Sequence, residues 1–161
     1  MPRTDIDRLS DAAAIWIFGI TPSLNDDAAA TVLRRVDGFL DQWTAHRVPV
    51  LSGRELRDRS FLIVAAEKNS ETSGCSIDAM FGAMRELERA FGVKILDAGR
   101  VFFRDKDGNV ATVSRSEFGD VANEETIVFD TTAQRLGDVR SGAWERRAAD
   151  SWHAALLRRS A

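Results

Sequence analysis

The sequence predicts an α+β fold with a ferredoxin-like βαββαβ core over residues 12–105 and a C-terminal hairpin, strand and helix that cover the sheet. Two amphipathic stretches predict the helices, because apolar residues recur every three or four positions in residues 29–43 and 77–91. Short apolar runs before, between and after these stretches predict the strands. Their order along the chain is that of the ferredoxin-like core.

The first predicted strand, residues 14–18, is rich in β-branched and aromatic side chains and ends at Gly19. Ile15 and Ile17 would lie on one face, and Trp16 and Phe18 on the other, so both faces are apolar. This pattern is typical of a central strand that is covered on both sides. We therefore expect residues 106–161 to fold back over the sheet.

The first helix should follow a turn at residues 21–26. Ser23 and Asp26 have the spacing of a capping box, with Asp in place of the usual Glu or Gln. The helix would carry an apolar stripe of Ala29, Val32, Leu33, Val36, Leu40 and Trp43. Acidic residues near its beginning and His46 and Arg47 near its end suit the helix dipole.

The rest of the chain divides in the same way. Residues 48–51 and 61–65 predict two strands with the reversal between them at 53–59, and the second helix is closed by Gly92. Residues 93–96 and 101–104 are strand-like, and a turn at 107–108 leads into a strand at 110–113. Ser114 and Glu117 can cap a short helix before a strand at 126–130. The tail predicts a helix with Trp144, Ala148, Trp152 and Leu156 on one face.

Composition favours one soluble globular domain over residues 1–161. The chain has 44% hydrophobic and 29% charged residues, and its net charge of -3 is well interspersed. No basic stripe points to nucleic acid, and the longest apolar run is shorter than the ~20 residues that span a membrane. A single cysteine forms no internal disulfide and is consistent with a reducing compartment, so we expect a cytoplasmic protein.

The main candidate site is the stretch from Ser73 to Asp78, where the second helix begins. Unpaired N–H groups at a helix start favour an anion. In a ferredoxin-like sheet the first and third strands are parallel neighbours, so both helices would begin at one edge and Thr21–Asp26 would lie beside Ser73–Asp78. We expect a small anion or a partner's carboxylate there. The predicted ligand-binding residues are Ser73, Gly74, Cys75, Ser76, Asp78, Ser23 and Trp152.

An alternative function is a cysteine-dependent enzyme or redox sensor, with Cys75 as nucleophile and His153 as its base. The helix start favours the Cys75 thiolate, whereas Asp78 opposes it. Asp130 or Asp150 would orient the imidazole. His46 is expected at the far end of the first helix, about 30 Å from its start, and out of reach. The simpler interpretation is that Cys75 packs the helix start and that Trp152 and His153 pack a helix face.

Sharper motifs are missing from the sequence. It contains no P-loop, and Asp105–Asn109 departs from a calcium loop because Ser116 stands where the glutamate ligand belongs. A zinc site built from Cys75, His46 and His153 fails on the expected distances. We therefore predict no cofactor and no metal.

Three segments together suggest a family. Gln42–His46, Ser73–Asp78 and Asp150–His153 resemble a small uncharacterised bacterial protein family of the Bacteroidetes type, along most of the chain. Its members often carry the label "ABC transporter ATPase". The resemblance implies no catalytic roles, but it distinguishes His46, Cys75, Asp78, Trp152 and His153 as positions that define the group. An ATPase of that kind needs a phosphate-binding loop with its lysine, which this sequence lacks.

Three functions therefore follow from the sequence. The first is a non-catalytic binding or interaction module for a small anionic ligand or a protein partner. The second is the cysteine enzyme, and the third is the ATPase of the family label. An edge strand at residues 48–51 would also allow a homodimer.

Overall fold

The computed structural model describes residues 3–67 and 73–158. Within these residues four helices form: α1 (Asp26–Gln42), α2 (Gly74–Phe91), α3 (Arg115–Val121) and α4 (Leu136–Arg140). Nine strands accompany them: β1 (Ala14–Gly19), β2 (Thr44–Ala45), β3 (Val48–Pro49), β4 (Ser52–Arg57), β5 (Phe61–Ala66), β6 (Arg100–Arg104), β7 (Val110–Ser114), β8 (Ile127–Phe129) and β9 (Glu145–Arg147). Short 3-10 turns lie at Ile6–Arg8, Ala148–Asp150 and Trp152–Leu156. The predicted α+β class is confirmed.

The central sheet has the order β1-β5-β4, and both pairings are antiparallel. Every residue of β5 is buried. Its side chains alternate between two hydrophobic clusters, as the pleat of a strand dictates. β1 alternates in the same way, so the prediction that its two apolar faces are both covered is confirmed. The prediction that it is a central strand is wrong, because β1 lies at the edge of the three-stranded sheet.

The ferredoxin-like order is not confirmed, and the predicted parallel pairing of the first and third strands is wrong. In the structure Gly19 lies opposite Phe61, and Ala14 lies opposite Ala66. β1 and β5 therefore run in opposite directions. The C-terminal end of β1 and the C-terminal end of β5 are separated by the length of a strand, about 17 Å. As a result α1 follows one end of the sheet and α2 follows the other.

The two long helices cover one face of the central sheet. They bury a cluster with the sheet residues that point toward them, including Phe18, Leu62 and Val64. Trp43 has 2% of its surface exposed and makes an edge-to-face contact with Trp16, with ring centroids 6.1 Å apart. This contact ties the end of α1 to β1.

The second sheet, of order β7-β6-β8-β9, covers the opposite face. Phe61 of β5 is the centre of this contact. Its ring meets Phe102, Phe129 and Trp144 at centroid distances of 5.2, 4.7 and 5.1 Å. The C-terminal part of the chain thus folds back over the central sheet, as its two-sided first strand predicts.

Several predicted boundaries are wrong. β4 occupies residues assigned to a reversal, and the chain instead turns at Asp58 and Arg59, both with positive φ. Residues 93–96 contribute only an isolated bridge at Lys94. The C-terminal segment is not one helix. Trp144 packs against Phe61 in the aromatic cluster, and Glu145–Arg147 forms a strand that pairs with β8.

Predictions that rest on local capping residues agree better with the structure than the predicted element boundaries do. Gly92 ends α2 with φ 62°, and the hairpin between β6 and β7 turns at Gly108. Ser114 caps α3 by accepting a hydrogen bond from the Glu117 N–H. The predictions for Gly92 and Ser114 are confirmed. The predicted two-residue turn at 107–108 is wrong, because five residues, 105–109, connect β6 to β7.

Gly19 provides a test of the contact between the two sheets. A Cβ atom there would lie 2.3 Å from the buried Phe102 ring, so we expect Gly19→Ala to lower the free energy of unfolding by about 1–3 kcal/mol. Gly38→Ala in α1 is the matched control. No atom lies within 4 Å of its added Cβ, so it should stabilise by about 0.5–1 kcal/mol. Urea unfolding measures both, and equal stabilities of the two variants would contradict the packing.

Candidate functional site

The start of α2 is closed by a complete capping box. The Ser73 hydroxyl accepts the Ser76 N–H at 3.1 Å, and the Ser76 hydroxyl accepts the Ser73 N–H at 2.8 Å. The Ser76 hydroxyl also donates to the Ser73 carbonyl at 2.8 Å. Ser76 is 3% exposed, so both predicted ligand-binding serines are engaged in capping the helix.

The other predicted residues of this segment lie at the surface. Cys75 is an exposed free thiol, which contradicts the interpretation that it packs the helix start. Asp78 is exposed as well, one turn further along. No atom lies within 4 Å of a Cβ built on Gly74, so packing does not require a glycine there.

Ser23 does not join this segment, so the predicted pair of helix starts is wrong. The cap of α1 is Asn25, whose side chain accepts the Ala28 N–H at 2.8 Å, and not Ser23. Ser23 lines a separate small cavity with Arg59 and Arg104. The antiparallel register of β1 and β5 is the reason, because it sends the two helix starts to opposite ends of the sheet.

The C-terminal end of α1, and not its N-terminal end, lies beside the start of α2. The buried indole of Trp43 donates from Nε1 to the Ser76 carbonyl at 2.8 Å. The segment that leads to His46 therefore lies on the same side of the molecule as the start of α2. The expectation that this segment lies at the opposite end from Ser73–Asp78 is wrong, for the same topological reason.

His153 is a buried residue of the second half of the molecule. It is 1% exposed, its Nδ1 is 2.7 Å from the Ser151 hydroxyl, and its ring stacks on Trp152 at 3.8 Å. Burial lowers the pKa of His153 to about 4, although Asp130 opposes the shift and Arg115 reinforces it. The imidazole is therefore neutral at pH 7.

The groups predicted to orient His153 have other partners. Asp150 forms an ion pair with Arg147 at 2.9 Å. Asp130 accepts hydrogen bonds from Thr132 and, at 3.3 Å, from the Trp152 indole. His153 instead packs against Phe118 of α3. Within the described residues, no contact joins His153 to Cys75.

Trp152 lines a groove of about 640 Å³ beside β1. All six residues of β1 form its floor. Phe81 and Ile95 line the helix side, and Phe102 and Ala133 line the side of the second sheet. The groove therefore lies between the two layers of the protein, and its lining combines these apolar side chains with polar and charged ones.

The floor of the groove contains an open sheet edge. Near the start of β1, the Ile15 N–H donates to the Gln134 carbonyl at 3.1 Å. Beyond the end of β1, Thr21 and Lys94 form two backbone hydrogen bonds with each other, of 3.0 and 2.9 Å. Alternate residues of a strand point to the same side, so Ile17 and Gly19 also direct their N–H and C=O groups away from β5. These groups have no hydrogen-bond partner on that side within residues 3–67 and 73–158.

One wall of the groove carries an unmatched positive charge. The Arg115 guanidinium lies over the Trp152 ring, 5.1 Å from its centroid, and pairs with no carboxylate of the described residues. Arg100, also in the lining, is 3.5 Å from Asp97 and is compensated by it. A carboxylate on a ligand would balance Arg115.

Sequence reasoning identified Trp152 but missed the groove. The pattern of residues 14–18 predicts a covered central strand, and nothing in a single sequence indicates that one edge of this strand is open. Arg115 looked like one surface arginine among many. The one available signal was Gly19, a glycine at the end of an apolar strand, which marks a close approach.

Burial of neutral His153 predicts a pH dependence of stability. The unfolded chain takes up a proton near pH 6.5, whereas the native chain does so only near pH 4. The free energy of unfolding should therefore fall as the pH drops from about 6.5 to 4, by up to about 3 kcal/mol. Urea unfolding at several pH values should give a shallower slope for His153→Gln, and equal slopes would contradict the shifted pKa.

The exposed thiol tests the enzyme alternative. We expect iodoacetamide to alkylate Cys75 in the native protein, because its side chain is exposed in the described part of the chain. His153→Gln should leave the alkylation rate unchanged, since no contact links the two side chains. A rate that falls several-fold in a folded His153→Gln variant would contradict this arrangement and favour a catalytic pair.

Comparisons with protein-family models, curated proteins and solved structures found no match. The family resemblance of the three segments therefore stays a prediction. No helix of the described segments is long and apolar enough to cross a membrane, and they contain no group of three potential metal-ligating side chains. The function has to be argued from the groove and its residues.

Proposed function

We propose that this protein is a non-catalytic binding module that takes an apolar ligand bearing a carboxylate in the groove beside β1. The single observation that carries the proposal is the open edge of β1 on the floor of a 640 Å³ cavity. Cavities of this size that combine apolar walls with a few polar groups are typical ligand sites. The anion preference inferred from the sequence is kept, but the proposed site is a different one.

The charge of the groove supports an anionic ligand. Arg115 stacks on Trp152, which restricts its side chain before a ligand arrives. A guanidinium held in this way loses less conformational entropy on binding a carboxylate than a freely moving one. Trp152 is itself restrained by its hydrogen bond to Asp130, so the pair forms a preorganised anion contact.

A non-catalytic role agrees with the positions of the reactive groups. Cys75 is absent from the lining of the groove, and His153 is buried behind Trp152 with its Nδ1 engaged by Ser151. Asp97 and Arg100 of the lining form an ion pair with each other. This set offers contacts to a ligand but no paired nucleophile and base.

Titration with 4-phenylbutyrate, an apolar carboxylate, tests the proposal. Tryptophan fluorescence should change on binding, because Trp16 and Trp152 line the groove. The uncharged 4-phenylbutyramide and the Arg115→Gln variant should each weaken binding about tenfold, equivalent to about 1.4 kcal/mol. Arg34→Gln is the matched control, on the exposed face of α1.

The control variant should bind as the unchanged protein does. If 4-phenylbutyrate does not bind at millimolar concentration, the groove is not a site for apolar carboxylates. If binding survives equally in Arg115→Gln and in Arg34→Gln, the assignment of the anion contact is wrong.

A further inference from the structure

The open edge of β1 is accessible over a defined length. Its outward backbone groups are bonded to Gln134 near residue 15 and to Lys94 at residue 21. Ile15 and Thr21 are six residues apart, about 20 Å in an extended strand. Between these two bridges, Ile17 and Gly19 present their N–H and C=O groups to the groove, which is the pattern that an added strand would need.

The walls of the groove match the two faces of such a strand. Side chains of an extended segment alternate in direction. On one side they would meet Phe81 and Ile95 of the helix layer, and on the other Phe102 and Ala133 of the second-sheet layer. Both walls offer apolar side chains, so the segment should carry apolar side chains on both of its faces, and the polar lining residues such as Thr132 and Gln134 border the same groove.

We propose that the groove binds an extended peptide segment of another protein as an additional strand on β1, with a carboxylate of that segment at Arg115. This inference rests on the proposed function and names the class of its ligand. Strand addition gives affinity through main-chain hydrogen bonds and specificity through pockets for alternate side chains. The unmatched charge of Arg115 supplies the complementarity that selects an acidic segment.

The length of the open edge limits the ligand. The bridges to Gln134 and Lys94 stop a partner strand at both ends, so about four residues of the peptide can pair with β1. A longer peptide has to leave the plane of the sheet beyond that point. We therefore expect a short linear motif rather than a folded sheet as the partner.

The experiment uses a synthetic tetrapeptide of alternating valine and leucine, apolar on both faces of an extended strand, with an acetylated amino end and a free terminal carboxylate. Two further forms of the same peptide carry N-methyl groups on alternate peptide nitrogens. Because only every second N–H of an added strand faces β1, one N-methylated form should lose binding at least tenfold and the other should keep it. A carboxamide end, or Arg115→Gln, should each weaken binding about tenfold, and the two losses should not add.

Amide hydrogen exchange gives a readout on the protein itself. On saturation with the peptide, the amides of Ile17 and Gly19 should exchange at least tenfold more slowly, whereas the Ile15 amide, already bonded to Gln134, should change little. Ile17→Pro removes one outward donor without touching the bonds to β5, and it should abolish binding while Ile17→Ala keeps it. Circular dichroism checks that both variants fold.

The outcomes are distinguishable. Binding of 4-phenylbutyrate with no peptide-dependent protection of Ile17 and Gly19 would overturn strand addition and leave the proposed function standing. Failure of both ligands would overturn both proposals. Equal binding by the two N-methylated peptides, or protection of the same amides by a second copy of the chain at high concentration without peptide, would also overturn the assignment.

Discussion

The antiparallel pairing of β1 with β5 determines most of the arrangement. It buries a strand with no exposed residue at the centre of the molecule and directs one face to the helices and the other to the second sheet. Each face of β5 contributes to a separate hydrophobic cluster, so loss of this strand would break both. The same pairing fixes the directions of α1 and α2, and hence decides which segments can meet.

Local signals predicted the elements, but not their long-range arrangement. The apolar stripes of α1 and α2, the cap at Ser114 and the left-handed Gly92 depend on neighbours within a few residues, and all are found. The direction in which β1 pairs with β5 depends on contacts between residues almost 50 positions apart. A strand that is apolar on both faces fits parallel or antiparallel neighbours equally well, so its pattern could not decide the topology.

The predicted C-terminal helix also shows that local spacing does not determine long-range packing. Trp144, Ala148 and Trp152 have helical spacing, yet Trp144 packs with Phe61 and Trp152 borders the groove. Burial of the Trp144 ring among aromatic partners outweighs the small propensity of the segment for helix. The two segments of the predicted site, 21–26 and 73–78, do not meet, because their proximity depends on a parallel pairing of β1 with β5 and the pairing is antiparallel. Of the predicted ligand-binding residues, Trp152 borders the groove and Ser23 borders a separate cavity.

The bridges at the two ends of β1 have a consequence for solubility. An exposed strand edge is a template on which further chains can stack, and proteins usually protect such edges. Here Gln134 and Lys94 occupy both ends of the edge, and the walls of the groove enclose the part that stays open. The unpaired backbone groups of β1 are therefore less available to further chains than those of a fully exposed edge would be.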